Sequence, residues 1–152
     1  GNLSDPRVNF IYDDGVAFTK KKEQAYDLII VDSSDPIGPA TALFEKSFYQ
    51  SLYHALKEDG LMVCQSQSPI FHMNVLKQSY NHIRDLFKEI SIYTAVVPTY
   101  PGGLWSFTIG SKQYVDPDAK KVRDKKTHYV NESLIQRCFL LPEFMKESLH
   151  LK

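Results

Sequence analysis

The sequence predicts an α/β fold built on a mixed sheet, on three observations. Short β-rich apolar runs alternate with stretches of helical period, the segment YDLIIV (Tyr26–Val31) is almost continuously apolar, and the last two runs are joined too tightly for a helix to intervene. Residues 8–12 (VNFIY) are expected as a first strand, ended by the Asp13-Asp14-Gly15 turn, and residues 16–23 as a short helix that turns basic at Lys20, Lys21 and Lys22. Tyr26–Val31 reads as a strand buried on both faces. Residues 32–42 (DSSDPIGPATA) carry two prolines and a glycine and are expected to be irregular. Phe44, Phe48, Leu52, Ala55 and Leu56 then recur at helical spacing, with Asp59-Gly60 as the stop. A third strand follows at 61–65, and a long helix at 70–87 with Met73, Leu76, Tyr80, Ile83 and Phe87 on one face. Residues 90–97 and 105–109 read as strands joined through PTYPGG (98–103), which implies antiparallel pairing. A polar connection over 116–126 precedes a pair of helices at 134–139 and 142–149.

With 152 residues, 43% of them hydrophobic, the chain holds one domain with a real core and not two. Eighteen Lys and Arg balance eighteen Asp and Glu, so the basic excess of a phosphate-backbone binder is missing and nucleic acid is a poor partner. No apolar run approaches the roughly 20 residues of a spanning helix, so no membrane role is expected. Cys64 and Cys138 lie outside any CxxC or Cys/His cluster and read as two buried thiols in a reducing, cytoplasmic setting. The five His show no metal-ligand spacing, and no metal is expected. The start, GNLSDP, reads as a cut edge rather than a signal peptide. GxSxG, Walker and GxGxxG motifs are absent, which removes the commoner hydrolase, kinase and dinucleotide readings.

Ligands of open α/β sheets bind outside the carboxyl ends of the parallel strands. Four acceptor-rich ends qualify: Asp14-Gly15, Asp32-Ser33-Ser34-Asp35, Gln65-Ser66-Gln67 and Thr99-Tyr100. Each has an ordinary structural use in turns and caps. If they converge, they surround a crevice with carboxylates and amides and no cation, which suits a cationic ligand. Asp32 and Asp35 are the sharpest pair, able to hold an ammonium group, to bind a divalent metal or to accept a proton, metal being the weakest option because neither a third carboxylate nor a His lies nearby in sequence.

VDSSDPIGPA (31–40), ALKEDG (55–60), VCQSQSP (63–69) and VPTYPGGLWSFTIGSK (97–112) together resemble the spermidine synthases, polyamine aminopropyltransferases of the class I methyltransferase-like (Rossmann-like) fold. The resemblance implies transfer of an aminopropyl group from decarboxylated S-adenosylmethionine to putrescine, giving spermidine and methylthioadenosine, with no prosthetic group and no metal. It implies Asp32 as the catalytic carboxylate, Asp35 as the diamine-binding one, Gln65 and Tyr100 as diamine contacts and Trp105 as a pocket wall. It further implies Asp14 and Gly15 at the adenine, residues 37–41 as a gatekeeping loop, and Pro39, Ala40 and Leu43 beside the nucleoside. An amine of pKa about 10 is only about 0.1% neutral at pH 7, so the nucleophile must lose a proton as it attacks. An ordinary aspartate is a weak base for this, and loop closure is expected to dry the site and bring the two affinities for the proton together.

The family's N-terminal β-domain, its first two nucleotide-fold strands, the Gly-rich loop and the acidic ribose ligand have no counterpart here. The chain is therefore expected to be a single domain, the C-terminal portion of the catalytic domain. In the family's strand order 3-2-1-4-5-7-6, residues 8–12 would be strand three, separated from Tyr26–Val31 by the two missing strands. Alone, such a chain is expected to be inactive and to be a homo-oligomer through its open edge. A related S-adenosylmethionine-dependent methyltransferase, or a noncatalytic assembly module, are the alternative readings.

Overall fold

Parallel pairing of two strands through a helical crossover organises the computed structural model, which describes residues 3–114, 119–123 and 125–151. Strands β1 (Tyr26–Val31), β2 (Leu56–Gln65), β3 (Glu89–Val96) and β4 (Leu104–Ser111) form one sheet in the order β1-β2-β4-β3. β1 and β2 are parallel, while β4 is antiparallel to both β2 and β3, so the sheet is mixed and its last two strands form the antiparallel pair that the short PTYPGG connection requires. Helices α1 (Gly15–Lys20), α2 (Lys46–Ala55), α3 (Met73–Arg84), α4 (Glu132–Cys138) and α5 (Glu143–Leu149) complete the fold, the last two being the expected C-terminal pair.

One face of the sheet carries the core. Met62 and Cys64 of β2 pack with Phe48, Tyr49 and Leu52 of α2, with Ile83 of α3 and with Phe87 just beyond that helix, and Ile29 and Val31 of β1 join them. A second cluster unites Leu76 and Tyr80 of α3, Ile92 of β3, and Met145 and Leu149 of α5. Both sets follow from period: alternate strand positions meet the i, i+3, i+4 stripes of the helices.

Several elements differ from the sequence prediction. Residues 8–12 are not a strand: Phe10, Ile11 and Tyr12 are exposed, and β1, the sheet's edge, does not pair with them. β1 is not buried on both faces either. Leu28 is 50% and Ile30 69% exposed, because the described residues put no helix over that side of the strand. Asp59-Gly60 does not stop the helix. α2 ends at Ala55, Leu56 turns extended and pairs with Tyr26, and the next pair is Leu28 with Leu61, so residues 57–60 bulge out of β2. Lys112 braces that bulge, donating from Nζ to the Leu56 carbonyl at 2.7 Å and from its backbone N–H to the Gly60 carbonyl at 3.1 Å. Within 32–42, residues from Gly38 onward enter a 3-10 helix (Gly38–Phe44), started by Pro39 in its first turn. Cys64 is buried but Cys138 is only half-buried, and neither forms a disulfide. The polar 116–126 connection lies partly outside the described residues; within it, Arg123 makes a bidentate pair with Glu132 of α4, at 2.9 and 3.0 Å.

Gly110 sits where β4 meets α3. A Cβ there would stand 2.6 Å from Ile83 Cγ2 and 2.7 Å from Phe87 Cδ2, both in the core. Gly110→Ala is expected to lower stability by about 1–3 kcal/mol, seen as a reduced urea midpoint with an unchanged slope. An unchanged midpoint contradicts this packing.

Candidate active site

The expected convergence of strand ends occurs for part of the set. Register brings it about: Val31 pairs with Cys64 and Gln65 with Phe107, so the residue after β1, the last residue of β2 and the start of β4 share one edge. Asp32, Gln65, Tyr100 and Trp105 accordingly line one cavity of about 320 Å³. Its remaining walls are apolar and include Ile30, Val63, Tyr93 and Phe107, and among the described residues no Lys or Arg lines it. Tyr93 and Phe107 are cross-strand partners stacked at 4.8 Å with ring planes 10° apart. The sequence reading missed both, although the i, i+2 relation of Phe107 to Trp105 was the available signal.

Trp105, 7% exposed, is fixed by donating from Nε1 to Gln65 Oε1 at 3.0 Å. The Tyr100 ring packs on it with centroids 4.4 Å apart and reaches solvent on its other side. Tyr100 owes its place to a tight turn: its N–H donates to Val97 O, its carbonyl accepts from Gly103 N–H, and Gly102 and Gly103 take positive φ of 76° and 68°. Asp32 is exposed at the mouth of the cavity.

Gln65 lines the cavity, but its amide is already engaged. Oε1 accepts from Trp105 Nε1 and from the Gln67 backbone N–H at 3.0 Å, and Nε2 donates to the Ser33 carbonyl at 3.0 Å. It orients the cavity's floor and the loop after β1 together. Asp35 is exposed and is not part of the cavity wall; its Oδ1 accepts from Gln67 Nε2 at 2.9 Å.

The residues expected at the nucleoside are placed apart from these. Asp14 is the N-cap of α1, its Oδ1 accepting from Val16 N–H at 2.8 Å and Ala17 N–H at 3.1 Å. Gly15 lines a second cavity of about 560 Å³ between residues 9–13 and β1. Ile30 is a wall of both cavities, so the two adjoin. Pro39, Ala40 and Leu43 lie on the 3-10 helix and in neither cavity wall; Leu43 packs on the α2 core instead. Among the described residues no group of three or more His, Cys, Asp or Glu is gathered as a metal site.

The parallel β1–β2 unit extended by an antiparallel β4–β3 pair, with acceptor-rich loops at the carboxyl ends, defines a methyltransferase-like α/β protein. Residues 1–121 match the Spermine/spermidine synthase domain, and the chain belongs to that family. It is 43% identical to the polyamine aminopropyltransferase of Caldicellulosiruptor saccharolyticus over 148 residues, 95% of this chain and 53% of the relative. The Bacillus subtilis polyamine aminopropyltransferase is 43% identical over 150 residues, 97% of this chain and 54% of that one. A solved spermidine synthase in complex with the transition state analogue AdoDATO superposes with a TM-score of 0.92 at 36% identity, covering 99% of this chain and 53% of its own. The Thermotoga maritima spermidine synthase gives 0.86 at 34% identity, covering 99% and 51%. The chain thus spans about half the length of the relatives it matches.

Gln65→Leu leaves Trp105 Nε1 and the Gln67 N–H buried without their acceptor, each at a cost of about 1–3 kcal/mol. Because Trp105 is the sole tryptophan, the loss is expected as a shifted emission maximum together with a lowered melting point. Unchanged emission contradicts the bond.

Proposed function

We propose that these residues supply the amine-acceptor side of a polyamine aminopropyltransferase, in which putrescine receives an aminopropyl group from decarboxylated S-adenosylmethionine to give spermidine and methylthioadenosine. The observation that carries the reading is a carboxylate, Asp32, at the mouth of a cavity walled, apart from the Gln65 amide, by aliphatic and aromatic side chains and, among the described residues, free of Lys and Arg. A diamine is an alkyl chain with a cation at each end, and this cavity offers apolar walls for the chain and a carboxylate for an end. The family and the solved relative's complex with AdoDATO support the same chemistry.

In this reading the putrescine nitrogen attacks the aminopropyl carbon attached to the sulfonium. The N–C bond forms as the C–S bond breaks, the electron pair returns to sulfur as a neutral thioether, and the proton lost by the ammonium passes to Asp32. Asp35 holds the diamine, Tyr100 and Trp105 wall its chain, and Gln65 keeps Trp105 and the loop after β1 in register. The co-substrate occupies the adjoining cavity at Gly15 with Asp14 at its adenine, and residues 37–41 close over it with Pro39, Ala40 and Leu43. In-line alignment of nitrogen, carbon and sulfur contributes alongside the base. A reducing, cytoplasmic setting goes with two free thiols.

The 152 residues alone are proposed to be inactive and to self-associate. β1 presents unpaired backbone groups between the exposed side chains of Leu28 and Ile30, a template for a second strand. Light scattering after size exclusion is expected to show a dimer or larger species, shifted toward monomer by Ile30→Lys; a monodisperse monomer at high micromolar concentration contradicts this.

Asp32→Asn keeps the shape and removes proton acceptance. With these residues replacing the matching half of the Bacillus subtilis relative, methylthioadenosine release is expected to fall about 10²-fold or more. Near-normal turnover sinks the assignment of the base.

A further inference from the structure

We propose that Gln67 is a positioning residue for the amine-binding carboxylate, acting through Asp35 and not through substrate. The inference rests on the aminopropyl-acceptor reading above. Gln67 is only 2% exposed, yet its side-chain amide reaches out of the interior to donate from Nε2 to Asp35 Oδ1 at 2.9 Å. Asp35 itself is exposed on the loop after β1, where a carboxylate without a partner samples several rotamers. One neutral donor on one oxygen fixes that orientation while leaving the second oxygen and the full negative charge available to an ammonium group. A lysine in the same place would fix the carboxylate and cancel the charge that the diamine needs.

The donor is itself held with unusual firmness. Gln67 adopts φ of 69°, a left-handed conformation that non-glycine residues seldom take, and this turns the chain out of the β2 direction right after the strand ends. Three bonds retain it there: its N–H donates to Gln65 Oε1 at 3.0 Å, and its carbonyl accepts from Ser106 N–H at 3.0 Å and from Ser106 Oγ at 2.7 Å. Uncommon backbone held by several bonds beside a candidate site is the pattern expected where geometry serves a ligand. The loop after β1 is thereby pinned twice by residues of one strand end, at the Ser33 carbonyl by Gln65 and at the Asp35 carboxylate by Gln67. Asp35 is thus connected through Gln67 and Gln65 to Trp105, although it is not in the cavity wall.

The test is a double-mutant cycle on putrescine binding by the 152-residue chain, whose described residues form the Asp32 cavity, read on the emission of its single tryptophan, Trp105. Saturable, carboxylate-dependent binding, weakened by Asp35→Asn, is the result required of the acceptor reading; no response in the unaltered chain overturns that reading and this inference with it. Given binding, Gln67→Met is expected to weaken putrescine about 5- to 10-fold, the size of one ordinary net hydrogen bond, since Gln67 acts through Asp35 and not on the ligand itself. In the Asp35→Asn background the same change is expected to cost less than about twofold, because the two residues act as one unit. Gln67→Asn, which keeps an amide and suits the left-handed backbone but is one methylene too short to reach Asp35, is expected to match Gln67→Met in affinity while melting as a folded protein. Losses from Gln67 and Asp35 that simply add, or an undiminished affinity in a folded Gln67→Asn protein, overturn the positioning role and leave the acceptor reading standing.

Discussion

The site depends on the amide of Gln65. It stands at the last position of the central strand β2, with β1 on one side and β4 on the other, and its three short hydrogen bonds reach one element in each direction: Ser33 beyond β1, Trp105 at the start of β4, and Gln67 onward along its own chain. Each bond is made by a group that is buried or half-buried, so each would cost more to leave unmade than it contributes when formed. Such a side chain does not bind strongly so much as exclude alternatives. With both ends of the amide committed, the loop bearing Asp32 and the indole of Trp105 have one relative position, and the cavity between them has one shape.

The fold was legible wherever period and turn chemistry agreed. β3, β4 and their antiparallel pairing followed from alternation plus a connection too short for a crossover, and α3 from its apolar stripe. Legibility failed where a segment's state is set by neighbours rather than by its own residues. Residues 8–12 have strand composition, but a strand exists only with a partner, and the edge of β1 does not supply one. Tyr26–Val31 has the composition of a doubly covered strand, yet only the side of Ile29 and Val31 meets helices. The Asp59-Gly60 turn was read correctly as a break and wrongly as the end of a helix. Leu56 had already left the helix to pair with Tyr26, so the turn serves as the crest of a bulge in β2.

For the site, position after a strand was a sound guide. Asp32, Gln65 and Tyr100 were singled out at strand ends and Trp105 by the family resemblance, and the sheet brings all four together. What the sequence could not show is how each polar group is used. Gln65 looks like a ligand contact by position and is a structural hub by bonding, while Asp14 looks like a base reader and is seen as a helix cap on one of its two oxygens. Gln67 was named with its strand end but given no role of its own, because what sets it apart is a backbone conformation and a hydrogen bond, neither of which composition encodes.

In the proposed reading, the distribution of charge lets a chain of zero formal charge receive a cationic ligand. The formal charge is zero, so no long-range field draws amines to the surface, and discrimination falls to the local cavity. There the wall carries Asp32 without any basic residue, while cations sit elsewhere: Lys57 with Asp27, Lys46 with Asp85, and Lys112 over the Tyr53 ring. Lys112 shows the consequence most clearly. Partial burial pulls its ammonium down from the usual lysine range, and its proton is spent on the Leu56 carbonyl rather than on a carboxylate. These basic groups are thus tied to a bulge, a helix end and a ring, and none of them is a partner of the one carboxylate of the cavity wall. Separation of this kind needs no excess of acid over base, only that the sheet edge where loops converge be built from acceptors, amides and aromatic rings.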